Sequence, residues 1–292
     1  MSRRTATLIG FTAVLMWAFL ALLTSASGAV PPFQLAAMSF FIGGLMGAVT
    51  WPFRPAALAT LRQQSWQLWA LGIASLFGYH FIYFTAIRNA PPVEVSLIAY
   101  LWPLFLVVFS AFLPGEKLRL HHILGVALGL AGAILVITRG QGLGLSAGIK
   151  LGHLLALPCA VIWASYSVLA RRFGHVPTDV VAGFCLAAAL LSFISHLMFE
   201  QTVWPHGASE WLAVAGLGLL PLGAAFYTWD FGLKHGDIMV LGASSYAAPL
   251  LSTLVLVSFG YAEFHWSIAL ACAFITAGAV IAAKDMIFRK TE

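Results

Sequence analysis

The sequence predicts an all-α polytopic membrane protein with ten transmembrane helices, arranged as two inverted five-helix repeats. Three observations lead to this prediction: an apolar composition, ten long apolar segments, and a similarity between the two halves of the chain. Of the 292 residues, 61% are hydrophobic and 9% are charged. A soluble domain carries about 25% charged residues, so the composition excludes a soluble globular enzyme.

The same composition excludes two further classes of protein. Disordered chains are poor in aromatic residues, whereas this chain has 22 Phe and 10 Trp. Its net charge of +5 comes from scattered basic residues, so we expect no nucleic-acid partner. Cys159, Cys185 and Cys272 lie far apart within apolar stretches, and we expect free thiols that pack as small apolar side chains.

Ten apolar segments are long enough to cross a membrane, since a bilayer core of about 30 Å requires roughly 20 residues of helix. They are continuously apolar, without the alternation of a β-barrel strand. The first follows Arg3 and Arg4 like a secretory signal, but its apolar run is longer than a signal core, so we expect a retained helix. The segments are residues 5–27, 32–53, 66–87, 93–113, 120–138, 149–170, 178–199, 209–233, 238–260 and 264–287.

The basic residues of the loops predict the orientation of these segments, because cytoplasmic loops carry an excess of Lys and Arg. With a cytoplasmic N-terminus, the outside loops contain only Arg88, Arg139 and Lys150. We therefore expect both termini in the cytoplasm. The inside loops then contain Arg3, Arg4, Arg54, Arg62, Lys117, Arg119, Arg171, Arg172, Lys234, Lys284, Arg289 and Lys290.

An offset of 146 residues aligns the two halves of the chain. It places Trp17-Ala18 on Trp163-Ala164, Tyr100 on Tyr246, and Pro103 on Pro249. Matches of Trp, Tyr and Pro in one register indicate two five-helix domains, residues 1–146 and 147–292. Because five is odd, the second domain enters the membrane from the opposite side. Inverted repeats are typical of alternating-access carriers, whose site lies near the midplane between the repeats.

With ten spans in two repeats of five, the chain resembles the drug/metabolite transporter superfamily, whose members have a pair of EamA-type repeats. The second half has Tyr261-Ala262-Glu263 in place of a Gly-Glu element, shifted by one residue. Within the superfamily it is most similar to bacterial aromatic amino acid exporters. The resemblance covers essentially the whole chain and implies efflux of small molecules across the bacterial inner membrane. It rests on the Trp-Ala pair of each half, Pro103, Pro249, Gly115-Glu116-Lys117, Gly125 and Gly132.

Polar and aromatic side chains near the middle of the spans are the candidate substrate-binding residues. Trp17 and Trp163 lie at mid-span, and we expect two opposed aromatic walls on which a flat solute stacks. Tyr79 and Tyr83 share a helix face with His80 beside them, and an interhelical tyrosine is the expected partner of that histidine. Packing within the core explains the same residues without a function.

Two prolines complete the predicted site. Pro103 and Pro249 should kink the fourth and ninth spans and free backbone carbonyls. Tyr100 and Trp102 lie two residues apart, so a straight helix cannot turn both toward the axis. Ser244 and Tyr246 offer hydroxyl groups from the other half. His80 and Asp230 are candidate coupling residues, although a surface ion pair of Asp230 with Lys234 is the simpler explanation for Asp230.

The predicted function is export of amino acids, with aromatic and large apolar ones preferred. The alternatives are another small metabolite or drug, or a nucleotide-sugar carrier, which the absence of basic residues within the spans disfavours. A membrane enzyme is disfavoured because no catalytic motif is found, and a channel because no polar stripe is found. We expect a small-molecule substrate, the bilayer as surroundings, a functional monomer, and neither cofactor nor metal.

Overall fold

The structure is a computed structural model that describes residues 1–141 and 149–285. Within these ranges the chain is helical, without a β-strand. The α-helices are α1 Arg3–Trp17, α2 Leu20–Ala26, α3 Pro32–Ala48, α4 Pro55–Arg62, α5 Trp66–Ile73, α6 Tyr79–Asn89, α7 Pro92–Ala99, α8 Trp102–Ser110, α9 Leu120–Ile137, α10 Leu151–Arg172, α11 Val180–Phe199, α12 Ala208–Leu219, α13 Ala225–His235, α14 Ile238–Ser244, α15 Ala247–Ser258 and α16 Trp266–Ala282.

Eight helical stretches of the described chain are long and apolar enough to cross a membrane. Two shorter apolar helices, Glu94–Ser110 and Trp266–Ala282, coincide with the fourth and tenth predicted segments. The fourth ends at Ser110, three residues earlier than predicted, and turns follow it. The predicted end of the tenth segment at 287 lies outside the described residues. Helix α4 lies in a predicted loop.

The third and eighth spans are each interrupted by one turn of π-helix. These turns are Ala74–Gly78, between α5 and α6, and Leu220–Ala224, between α12 and α13. A π turn shifts the backbone hydrogen-bond register, and side-chain donors bind carbonyls here. Ser75 donates to the Leu71 carbonyl, and Trp17 donates to the Pro221 carbonyl. The two turns begin at Ala74 and Leu220, which are 146 residues apart, the offset that aligns the two halves of the sequence.

The fourth and ninth spans are broken, but three residues before the position predicted. Helix α7 ends before Tyr100 and α14 ends before Ser245, whereas Pro103 and Pro249 lie in the first turn of the following helices. A proline is tolerated in the first turn, and its ring clashes with the carbonyl four residues earlier. The break therefore precedes the proline. The break of the first span between Trp17 and Leu20 has no Pro or Gly and was not predicted.

Helix packing follows the same offset. Helix α1 packs on α13, and α10 packs on α6. Gly10 faces Gly232 in the first crossing, where an added Cβ at Gly10 would lie 2.9 Å from the Gly232 Cα. Ala86 and Ala156 occupy the corresponding positions of the second crossing and are both fully buried. Helix α3 also packs on α11, and α9 on α16. Small residues at these crossings allow the backbones to approach closely.

Ion pairs join different loops at each of the two ends of the bundle. At one end, here called the basic end, Glu116 pairs with Arg3 and Arg171 at 2.9 and 2.8 Å, and Arg54 pairs with Asp179. At the opposite end, Arg88 pairs with Glu200 at 3.2 Å. These are the loops that the distribution of Lys and Arg assigns to opposite sides of the membrane.

Candidate substrate cavity

A cavity of about 620 Å³ lies at the centre of the bundle and reaches the end opposite the basic end, where α2 ends and α3 begins. Among the described residues, no side chain of its lining carries a fixed charge. A largely apolar cavity with a few polar groups is typical of a small-molecule site. The polar and aromatic lining residues are Trp17, Thr24, Ser25, Ser39, Tyr79, His80, Tyr83, Phe84, Tyr100, Trp102, Trp163, Phe226 and Ser252.

Three tryptophans form the floor of this cavity. The Trp17 ring lies 5.9 Å from that of Trp163 and 6.3 Å from that of Trp102, in edge-to-face contact. A solute ring stacked between two walls would need roughly 7–8 Å, twice a carbon–carbon contact distance. The prediction of two opposed walls at Trp17 and Trp163 is therefore wrong, because the indoles touch. They present one continuous aromatic surface.

Tyr79, His80 and Tyr83 line one side of the cavity. The rings of Tyr79 and Tyr83 stack at 5.8 Å with an interplanar angle of 8°. His80 Nδ1 lies 2.6 Å from the Leu76 carbonyl, which belongs to the π turn that precedes it. The prediction that His80 binds a tyrosine of another helix is therefore wrong. Because a carbonyl can only accept, Nδ1 carries the hydrogen, and Nε2 of a neutral ring is an acceptor.

Tyr100 and Trp102 both line the cavity, although they are two residues apart. The break between α7 and α8 makes this possible, since Tyr100 lies in the break after α7 and Trp102 is the first residue of α8. Trp102 contacts Trp163 edge-to-face at 6.3 Å and joins the floor. Pro103 is buried behind it.

The eighth and ninth spans form the other side of the cavity with smaller or apolar groups. Phe226 takes the position that His80 has in the first half, and Ala248 takes that of Trp102. Phe40 packs between the two sides, with its ring 5.1 Å from His80 and 5.9 Å from Phe226. The three tyrosines and the histidine of the lining therefore all come from the third and fourth spans.

Ser244 and Tyr246 do not line the cavity, contrary to the sequence prediction. Tyr246 is fully buried against α9, where an added Cβ at Gly129 would lie 2.6 Å from its ring. Ser244 donates to the Leu241 carbonyl of its own helix. The break before α15 turns both side chains away from the aromatic floor. Pro249 is buried in the first turn of α15.

Asp230 lies outside the cavity, one helical turn below Phe226. Its carboxylate pairs with Lys234 at 2.7 Å, and each side chain is only 3% exposed. Thr178 donates to the same carboxylate at 2.7 Å, and Lys234 donates to the Val176 carbonyl at 3.0 Å. The expected surface ion pair is thus a buried one, because the 176–178 loop covers it.

Sequence reasoning missed several residues of this region. Trp229 is fully buried beneath the floor, 5.2 Å from Trp17 and 5.7 Å from Trp102, and its indole donates to Ser167. Trp229 lies four residues from the end of the predicted span 209–233, where tryptophans usually anchor a helix at the membrane interface, so its position gave no signal of this role. Thr24, Ser25 and Ser252 also line the cavity, but isolated hydroxyls in apolar helices give no recognisable pattern.

One group of described residues has the side-chain types of a metal site: His121, His122 and Asp285 at the basic end. Arg119 donates to the Asp285 carboxylate at 2.5 Å, and His122 Nδ1 accepts from the Arg119 backbone. A guanidinium on the carboxylate opposes a cation at the same position. The arrangement gives no support for a metal.

Comparison with known proteins agrees with this architecture. A model of the EamA-like transporter family matches residues 4–138 and again residues 150–283. The chain belongs to this family. Together with the apolar helices, membership makes it a multi-pass membrane transporter.

Individual relatives of this EamA-like transporter cover nearly its whole length. It is 56% identical over 283 residues to the aromatic amino acid exporter YddG of Ancylobacter novellus, covering 97% of this chain and 98% of that protein. It is 24% identical to the aromatic amino acid exporter YddG of Escherichia coli, covering 87% and 88%. A protein of known crystal structure, 53% identical, superposes with a TM-score of 0.89 over 99% of this chain and 100% of the other.

Proposed function

We propose that this transporter exports amino acids from the bacterial cytoplasm, with aromatic and large apolar ones preferred. The observation that carries the proposal is the cavity, which has an aromatic floor, three tyrosine hydroxyls and one histidine, with no fixed charge in its lining. A zwitterion with an apolar side chain brings no net charge into such a site. The relatives named as aromatic amino acid exporters support the same substrate class.

We assign the substrate to the floor and the third-span side of the cavity. The side chain of the solute stacks on Trp17, Trp102 or Trp163, and the α-ammonium donates to His80 Nε2. Tyr79, Tyr83 and Tyr100 donate to the α-carboxylate. Ser244 and Tyr246 are not part of the proposed site.

We propose ten spans in two inverted repeats, residues 1–146 and 147–292. Glu94–Ser110 and Trp266–Ala282 are each 17 residues long, the lower limit of about 17 for a membrane-spanning helix. Support for the repeat comes from the two matches of the family model. The two π turns, which begin 146 residues apart, support it further. So do the helix crossings, because the same offset relates the α1–α13 crossing to the α10–α6 crossing.

We place the basic end in the cytoplasm of a bacterial inner-membrane protein, which puts both termini inside. The excess of Lys and Arg in those loops supports this orientation. The cavity then reaches the outside, and the conformation is outward-open. Alternating access requires a second conformation in which the same floor is reached from the cytoplasm. The proposed carrier functions as a monomer, without enzymatic activity, cofactor or nucleic acid.

Counterflow into proteoliposomes tests the proposal. Liposomes loaded with unlabelled phenylalanine should accumulate labelled phenylalanine, and vesicles loaded with a sugar nucleotide should not. Protein-free liposomes are the control. Accumulation driven by the sugar nucleotide and not by phenylalanine would contradict the proposal, and would favour another carrier of the same superfamily.

A further inference from the structure

The closed half of the transport pathway can be located by applying the 146-residue offset to the lining of the cavity. If the repeats exchange roles in the second conformation, the partners of the present lining residues line the cytoplasmic pathway. Each lining residue then has a partner in the other half. Leu20, Val30, Pro32, Tyr83 and Phe84 correspond to Tyr166, Val176, Thr178, Trp229 and Asp230.

These partners form one connected group that is closed in this structure. Tyr166, Val176 and Asp230 are each at most 4% exposed, and Trp229 is fully buried. Thr178 hydrogen-bonds Asp230, and the Val176 carbonyl accepts from Lys234, the residue paired with that carboxylate. Asp230 is the only carboxylate among the partners of the described lining residues. The proposed cytoplasmic pathway thus has a carboxylate, Asp230, at the position where the outer cavity has the apolar side chain of Phe84.

We propose that Asp230 and Lys234 form an entry subsite that receives the amino acid zwitterion from the cytoplasm. Asp230 binds the α-ammonium and Lys234 binds the α-carboxylate. In the closed state the two side chains neutralise each other, so that neither charge is buried alone. When the 176–178 loop moves away, a zwitterion replaces each partner with a group of the same charge. This proposal rests on the proposed function, whose site it extends.

The subsite would act on specificity before the solute reaches the aromatic floor. A zwitterion fits a carboxylate and an ammonium that lie one helical turn apart. A solute with one charge would leave either Asp230 or Lys234 without a partner. Selection for zwitterions would therefore occur at the cytoplasmic entrance, and selection for the side chain in the cavity.

Two engineered cysteines report separately on the two halves. Thr24 lines the outer cavity, and Ala170 is its buried partner in the other half. Thr24→Cys and Ala170→Cys are each made in a background without Cys159, Cys185 and Cys272. Labelling by a membrane-impermeant thiol reagent is followed from the outside for Thr24→Cys and from the cytoplasmic side for Ala170→Cys. The readout is the concentration of phenylalanine that halves the labelling rate.

The informative variant is Asp230→Asn with Lys234→Gln, which keeps the shape of the pair and leaves no unpaired charge. Loss of a charge-assisted contact should raise the half-protecting concentration at Ala170→Cys by about tenfold or more. At Thr24→Cys the change should stay below about threefold. Glu94→Gln is the matched control, because it removes a carboxylate that pairs with His153 outside the cavity, and it should change neither value.

The outcomes separate the two proposals. An equal shift at both cysteines, or no shift at either, would overturn the entry subsite. Protection of Thr24→Cys without labelling or protection of Ala170→Cys would also overturn it while leaving amino acid binding intact. If phenylalanine protects neither cysteine in the otherwise unchanged chain, the proposed function itself fails. A variant that does not reach the membrane is replaced by Asp230→Leu with Lys234→Met, an apolar pair that leaves no buried charge unpaired and for which the same shift is expected.

Discussion

The indole nitrogen of Trp17 donates a hydrogen bond to the Pro221 carbonyl oxygen, 3.2 Å away and in the other half of the chain. Pro221 lies in the π turn of the eighth span, where the regular hydrogen-bond register is interrupted. The bond therefore ties the cavity floor to the point at which a long helix changes its pitch. Residues on both sides of this bond line the cavity.

Replacing Trp17 with phenylalanine should weaken this tie while keeping an aromatic floor. We expect a loss of about 1 kcal/mol in stability from the missing hydrogen bond, together with a several-fold lower rate of phenylalanine counterflow. Thermal unfolding in detergent and counterflow in proteoliposomes measure the two effects. Trp204→Phe is the control, because Trp204 is exposed on the surface and should tolerate the change. Wild-type transport by the Trp17 variant would argue against a role for the bond.

His80 should be required for transport through the acceptor at Nε2. Removing a hydrogen bond to a charged group costs about 1.5–3 kcal/mol, so His80→Ala should reduce phenylalanine transport roughly tenfold or more. His80→Gln retains an amide that can donate to the Leu76 carbonyl and a carbonyl that can accept, and should retain more activity. Equal activities of the two variants, at equal folded yield, would contradict the assigned role.

The class of fold and most of the spans were predictable, because a bilayer imposes a length and a composition on each helix. The predicted and observed segments agree closely at 32–53, 66–87 and 149–170, where apolar runs end at polar residues or prolines. The break at Trp17 to Leu20 was not predictable. Neither Pro nor Gly marks it, and the residue that Trp17 binds beside the break, Pro221, is far away in sequence.

The site was predictable for residues whose chemistry is unusual inside a membrane, such as His80 and the mid-span tryptophans. Their placement was not, since the direction of a side chain depends on the π turns and breaks. Tyr100 and Tyr246 illustrate this limit. They occupy equivalent positions in the sequence, yet Tyr100 lines the cavity and Tyr246 packs against Gly129. An asymmetric conformation separates side chains that the repeat makes equivalent.

The crossing of α1 and α13 should not tolerate a larger residue. An added Cβ at Gly232 would lie 2.5 Å from the Gly10 Cα, and backbone at such a crossing cannot move without separating the helices. Gly232→Ala should therefore lower the melting temperature and the folded yield. Gly78→Ala is the matched control, since its Cβ would meet nothing closer than 4.0 Å. A stable Gly232→Ala protein would contradict the close approach.

Reporter fusions should establish the orientation. A fusion after residue 292 and one within the 171–176 loop should both report the cytoplasm, and one within residues 139–148 should report the outside. Residues 142–148 and 286–292 lie outside the described part of the chain, so this prediction rests on the distribution of Lys and Arg. A cytoplasmic signal from the 139–148 fusion would contradict the inverted arrangement of the two halves.

The range of solutes should follow from the aromatic floor and the absence of fixed charge in the cavity. Stacking on an aromatic surface adds about 0.5–1.5 kcal/mol beyond the burial of area, which is a two- to tenfold preference for phenylalanine, tyrosine or tryptophan. Methionine and leucine should bind less well. Glutamate, aspartate and lysine should be poor competitors, because no lining side chain would neutralise their extra charge. Competition against labelled phenylalanine measures this order, and glutamate that competes as strongly as tryptophan would contradict the assigned cavity chemistry.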